Sequence, residues 1–109
     1  MTVTRLSHES RVIFEIDGRL DAANAVTLDR EFFSCYDEGS RDFIWDCSKV
    51  TYLSSAGLRS FLQAMKRLEG ADGRLIIAGA SPQLLEVFDI SGFKPLLTFV
   101  SDRNAALKA

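Results

Sequence analysis

The period of the hydrophobic positions changes several times along the chain. Between Arg11 and Asp17, Val12, Ile13, Phe14 and Ile16 make a run rich in β-branched residues, with partial alternation, that Gly18 ends. This predicts a strand. Val3 to Leu6 is a weaker strand that can pair with it as a hairpin through His8-Glu9-Ser10. Asp21 to Asn24 breaks the pattern, which then becomes helical. Leu28, Phe32, Cys35 and Tyr36 fall on one stripe of a helix running to about Asp37, with Asn24 as its expected N-cap. Gly39-Ser40 ends that helix.

Phe43-Ile44-Trp45 is too short for a helix and reads as a buried strand leading into Asp46-Cys47-Ser48. After Val50 to Gly57, the residues Leu58, Phe61, Leu62, Met65 and Leu68 recur at helical spacing, with Arg59, Lys66 and Arg67 free to face water. Gly70-Ala-Asp-Gly73 stops this helix, with glycine expected at the left-handed C′ position. Leu75 to Gly79 is a core strand. Ser81 and Pro82 open a helix as cap and first residue, with Leu84, Leu85 and Phe88 on its buried face and Gly92 as its stop. Leu96 to Val100 is a last strand, and Ser101 or Asp102 caps a short helix through Lys108. The order β-β-α-β-α-β-α-β-α predicts one α/β domain over residues 1–109. Its sheet is mixed but mostly parallel, built by right-handed crossovers with helices packed on it.

Composition narrows the function. With 47% hydrophobic residues the chain can build a core, so wholesale disorder is excluded. Thirteen Lys and Arg against fifteen Asp and Glu give a net charge of −2 and no basic stripe. That balance suits a protein partner better than nucleic acid or an anionic membrane. No apolar run nears the roughly 20 residues of a membrane span, and Met1 to Glu9 has no signal-peptide character. A cytoplasmic protein is expected. Cys35 and Cys47 lack CxxC spacing and read as buried free thiols; one histidine, His8, leaves no zinc site. There is no GxSxG elbow, SxxK pair or GxxxxGK[ST] phosphate loop, nor any acidic spacing suited to a metal. These absences point to a binding module rather than an enzyme, with no cofactor and no metal.

What remains is a serine pair, Ser54–Ser55, at the start of a helix, with Asp21 and Asp46 just past strands, where open α/β sheets gather functional groups. A serine at a helix start is commonly an N-cap. The same geometry tolerates an anion, because free N–H groups and the helix dipole meet there. A phosphate would add about −1.5 to −2 charge at that point and alter a docking surface without melting the fold. Spacing alone favours the cap over the switch.

The segment Val50-Thr-Tyr-Leu-Ser-Ser-Ala-Gly-Leu58, with the helix to Leu68, resembles the signature of STAS domains, and more narrowly of bacterial anti-sigma factor antagonists. Gly18-Arg-Leu-Asp21, Asp46-Cys-Ser-Lys-Val50 and Ser81-Pro82 through Phe88-Asp-Ile-Ser-Gly92 extend the resemblance in order along nearly the whole chain. It implies a partner-switching protein. The unphosphorylated form would bind an anti-sigma factor serine kinase of histidine-kinase-like ATPase fold, phosphorylation would end the complex, and a metal-dependent serine phosphatase would restore it. The family's common pattern, Asp-Ser-[Ser/Thr]-Gly-Leu, makes Ser55 the phosphoacceptor, with Ser54 second. Asp21 matches the family's loop aspartate near this site, and Leu53, Ser54, Ala56, Gly57, Leu58 and Arg59 are the expected docking surface, with core as the other place for Leu58. Ser54 stands where aspartate is common and Ala56 where a second hydroxyl is common. The alternative function is a constitutive STAS scaffold or subunit of a transporter or sensory complex, with both serines as caps.

Overall fold

The hairpin and the three β-α-β crossovers follow the hydrophobic pattern, and the strands add to the sheet in chain order. A computed structural model describes residues 1–109. β1 (Thr2–His8) pairs antiparallel with β2 (Arg11–Leu20) across a tight turn in which Glu9 takes φ 58°. Then come α1 (Ala22–Asp37), β3 (Asp42–Leu53), α2 (Ser55–Glu69), β4 (Arg74–Ala78), α3 (Pro82–Ile90), a 3₁₀ turn (Lys94–Leu96), β5 (Thr98–Val100) and α4 (Arg103–Lys108). The sheet order is β1-β2-β3-β4-β5, and β2 to β5 are parallel neighbours. Right-handed crossovers that always step the same way put α1, α2 and α3 on one face.

The main core lies between that face and the three helices. Trp45, fully buried on the central strand, joins them: its ring is 6.0 Å from Phe32 of α1 and 4.9 Å from Phe61 of α2. Phe61 in turn meets Phe88 of α3 at 5.2 Å, mostly edge to face. Edge-to-face pairs of this kind are each worth about 0.5–1.5 kcal/mol beyond area burial. The Trp45 indole N–H is buried without a hydrogen-bond partner, which costs stability.

The opposite face carries a smaller apolar cluster of Ile13, Ile44, Ile76 and Ala78 under Ala106 of α4. Six residues do not make a stable helix alone, and two arginines hold this one down. Arg11 donates to the carbonyls of Ala106 (2.7 Å) and Ala109 (2.6 Å) and to Asp42 (3.1 Å). Arg103 bridges Glu15 and Asp46, its Nη2 lying 2.8 Å from Asp46 Oδ2. Glu15 and Asp46 are register partners on β2 and β3, so the guanidinium sits against two adjacent carboxylates. Burial pushes the Asp46 carboxyl up. The Ser48 N–H and hydroxyl and the Arg103 guanidinium outweigh that and hold it below the usual carboxylate range.

Several expected boundaries move. The N-cap of α1 is Asp21, not Asn24: Asp21 Oδ1 accepts the Asn24 N–H at 3.0 Å, leaving Asn24 inside the first turn. The strand expected at Phe43 to Trp45 runs on to Leu53, and β2 runs past Gly18 to Leu20, because the two pair to their ends through register shifts near Asp17 and Gly18. Neither glycine of the Gly70–Gly73 turn is left-handed; Asp72 takes φ 56° instead. Gly73 is needed for space, since a Cβ there would lie 2.6 Å from the Arg41 carbonyl oxygen. Leu96 belongs to the 3₁₀ turn and β5 begins at Thr98. Asp102, not Ser101, caps α4.

Gly57 fixes how closely α2 seats on the strand ends. A Cβ there would stand 2.7 Å from the Leu20 carbonyl oxygen and 2.9 Å from Leu53 Cδ1. Gly57→Ala should therefore destabilise the fold by about 1–3 kcal/mol in urea unfolding, and wild-type stability would mean that α2 lifts freely. Asp46 gives a pH signature. Its folded pKa lies below its unfolded value of about 3.9, so its contribution is present above that pH and lost as pH falls through the folded value. Asp46→Asn should flatten the acid limb of the stability–pH curve measured by denaturation; an unchanged limb would assign it to other carboxylates.

Candidate functional site

The carboxyl ends of β2 and β3 finish together, Leu20 opposite Leu53, and the two adjoining helices start there. The Leu20 carbonyl accepts both the Ser54 N–H and the Ser54 hydroxyl, each at 3.0 Å. The Ser54 Oγ also accepts the Gly57 N–H at 3.1 Å, which makes it the N-cap of α2. Ser54 is thus committed as donor and acceptor, ties α2 to β2, and is half-buried.

Ser55 differs in every one of these respects. It is the first residue of α2, it is exposed, and its hydroxyl makes no hydrogen bond within the protein. The backbone N–H groups of Ser55 and Ala56 have no acceptor in the chain either, as expected for the first turn of a helix. A hydroxyl oxygen beside unpaired donors and the positive end of a fifteen-residue helix is well placed to carry an anionic group.

The other sequence-predicted residues sort by exposure. Arg59 is exposed one turn beyond Ser55, and Ala56 is half-buried. Leu53 and Leu58 are largely buried and reach the surface only as the floor of the depressions beside Ser55; Gly57 is buried against Leu20. Asp21 stands at the same sheet end, its carboxylate used as the α1 cap. Next to it Arg19 lies 4.3 Å over the Tyr52 ring. Asp46 is elsewhere, on the face under α4 with Arg103.

Sequence reasoning predicted α3 but did not place it at this site. Val87, Ile90 and Ser91 line the depressions that contain Ser55. A signal was present in Pro82 to Ile90: Leu84, Leu85, Val87, Phe88 and Ile90 are more apolar residues than one buried face can use, and only Leu84 and Phe88 are buried.

No side chain near Ser55 is placed to activate it. His8 lies opposite Arg11 at the other end of β2, about 30 Å of strand away. Burial pushes the Cys47 thiol up, so it remains protonated at neutral pH. No helix is long and apolar enough to cross a membrane.

Comparison with known proteins agrees with this architecture. The family model described as STAS domain matches residues 3–106. A Bordetella bronchiseptica protein, BtrV, described as a candidate anti-sigma factor antagonist, is 34% identical over 109 residues, covering all of this chain and 94% of its own length. The Bacillus cell fate determinant SpoIIAA in its phosphorylated form superposes with TM-score 0.77 at 22% identity, over 98% of each chain. A Thermotoga maritima protein, also described as a candidate antagonist, reaches TM-score 0.92 at 14% identity over 97% of this chain and 92% of its own. The two structural likenesses establish the fold, while the family match spans all five strands and the serine-bearing helix start, and the chain belongs to the STAS domain family.

Proposed function

We propose that the protein is an anti-sigma factor antagonist whose binding is switched at Ser55. The unmodified form binds an anti-sigma factor serine kinase of histidine-kinase-like ATPase fold. That kinase transfers the γ-phosphoryl of ATP to the Ser55 Oγ: the Oγ–P bond forms, the bond to ADP breaks, and the hydroxyl proton leaves to a base on the kinase. A metal-dependent phosphatase hydrolyses the ester and restores the binding form. On this reading the antagonist is a substrate and a ligand, and catalysis lies with its partners.

The observation that carries the reading is the division of labour between the two serines. Ser54 holds the helix start with both of its hydrogen-bonding capacities, while Ser55 is exposed with a free hydroxyl. A phosphoryl group on Ser55 therefore breaks no structural bond, and the first-turn N–H groups and the α2 dipole accommodate its charge. The 34% identity to BtrV over its nearly full length supports the same assignment. A constitutive scaffold with both serines as caps is less well supported, because only Ser54 caps.

Incubation with ATP and the cognate kinase should add one phosphoryl group, about 80 daltons by intact mass, and Ser55→Ala should abolish the addition while Ser54→Ala retains it at reduced stability. Ser55→Asp should lower kinase affinity at least about tenfold, the effect of 1.4 kcal/mol, whereas Ser55→Ala binds constitutively. Wild-type affinity in Ser55→Asp, measured by calorimetry, would falsify the switch.

A further inference from the structure

The depressions beside Ser55 form a chain. One, between β3 and the first turns of α3, shares Leu53 and Val87 with the next; that one shares Ser55, Leu58 and Ser91 with a third, between α2 and Phe93. Six large apolar side chains are exposed in the whole molecule, and three of them, Tyr52, Val87 and Ile90, border this groove. Ile90 is 79% exposed and takes no part in the core. Apolar side chains gathered in this way around one concavity mark an interaction surface rather than scattered surface residues.

The charge on the groove is one-sided. None of its lining residues is acidic, and Arg59 is the only charged one. Arg59 enters none of the molecule's five ion pairs. It follows Ser55 by four positions on α2, the spacing at which helical side chains face each other, and both line the same depression.

Resting on the reading that Ser55 is the switch, we propose that this groove seats an apolar segment of the anti-sigma kinase bearing a carboxylate that pairs with Arg59, and that phosphorylated Ser55 ends the complex by taking Arg59 for itself. Ile90 and Val87 are the apolar anchors, and Arg59 sets the register of the segment. A phosphoryl group one turn away offers the guanidinium a stronger, bidentate acceptor than a carboxylate. It also places like charge against the partner's carboxylate as the pair breaks. Release then needs no change of fold, because the bound segment loses its only ionic contact and gains a repulsive one at the same point.

Calorimetry with the purified kinase and the full-length chain tests the docking. Ile90→Ser and Arg59→Glu should each weaken binding about tenfold or more, with circular-dichroism melting unchanged since both side chains are exposed. Wild-type affinity in Ile90→Ser overturns the groove, and unchanged or tighter binding in Arg59→Glu overturns the partner carboxylate. Failure of the unmodified wild type to bind overturns the antagonist reading itself, and shows before any variant is made. The capture of Arg59 is tested without the kinase, on protein with phosphoserine genetically encoded at position 55. By phosphorus NMR the second phosphate pKa, usually about 6, should be lower in the wild type than in Arg59→Gln. Equal values overturn the capture.

Discussion

Everything at the candidate site depends on β2 and β3 pairing in parallel to their last residues. That pairing brings Leu20 opposite Leu53, and the Leu20 carbonyl then accepts two bonds from Ser54. The start of α2 is therefore fixed by the central sheet and not by its own loop. Gly57 completes the constraint, because only a residue without a Cβ lets the helix approach Leu20 this closely. Shorten either strand by one residue and the side chains at its end turn to the other face; the serine would lose its position with them.

The two faces of the sheet are held by different physics. Under α1, α2 and α3 the core is aromatic, linked through Trp45, Phe61 and Phe88, and gains from burial and ring packing. Under α4 the apolar cluster is small and the helix short, so guanidinium bonds do much of the fastening. Partly exposed ion pairs are screened by salt and lost when their carboxylates are protonated, which leaves α4 as the element whose docking responds most to salt and acid. Ser55 lies at the strand ends, away from that face. Solution conditions that loosen α4 leave the site's geometry resting on its own supports.

How much was legible in the sequence differs by element. The amphipathic stripe Leu58, Phe61, Leu68 and the Ser81-Pro82 start were plain, since both are local patterns with one physical reading. The α1 cap was misplaced because Asp21 and Asn24 are both good caps three residues apart, and only the end of β2 decides between them. The length of β3 was hidden because Ser48, Lys49 and Thr51 carry polar side chains on a strand whose far half has β2 alone as neighbour. Ser54 and Ser55 were indistinguishable by type and spacing; the carbonyl that separates them is 34 residues away in sequence. The groove wall on α3 was visible only as an apolar surplus, whose meaning depends on which helix lies opposite.

The Ser54 cap has one more consequence. Because its bonds secure the helix and the neighbouring hydroxyl secures nothing, a group added to Ser55 would break no hydrogen bond that holds the fold. The added charge would meet the positive end of α2, so a modified chain would unfold no faster than an unmodified one and its loss would fall to the enzymes that remove the group. The signal would be stored as occupancy of a surface, with the abundance of the protein left out of the message.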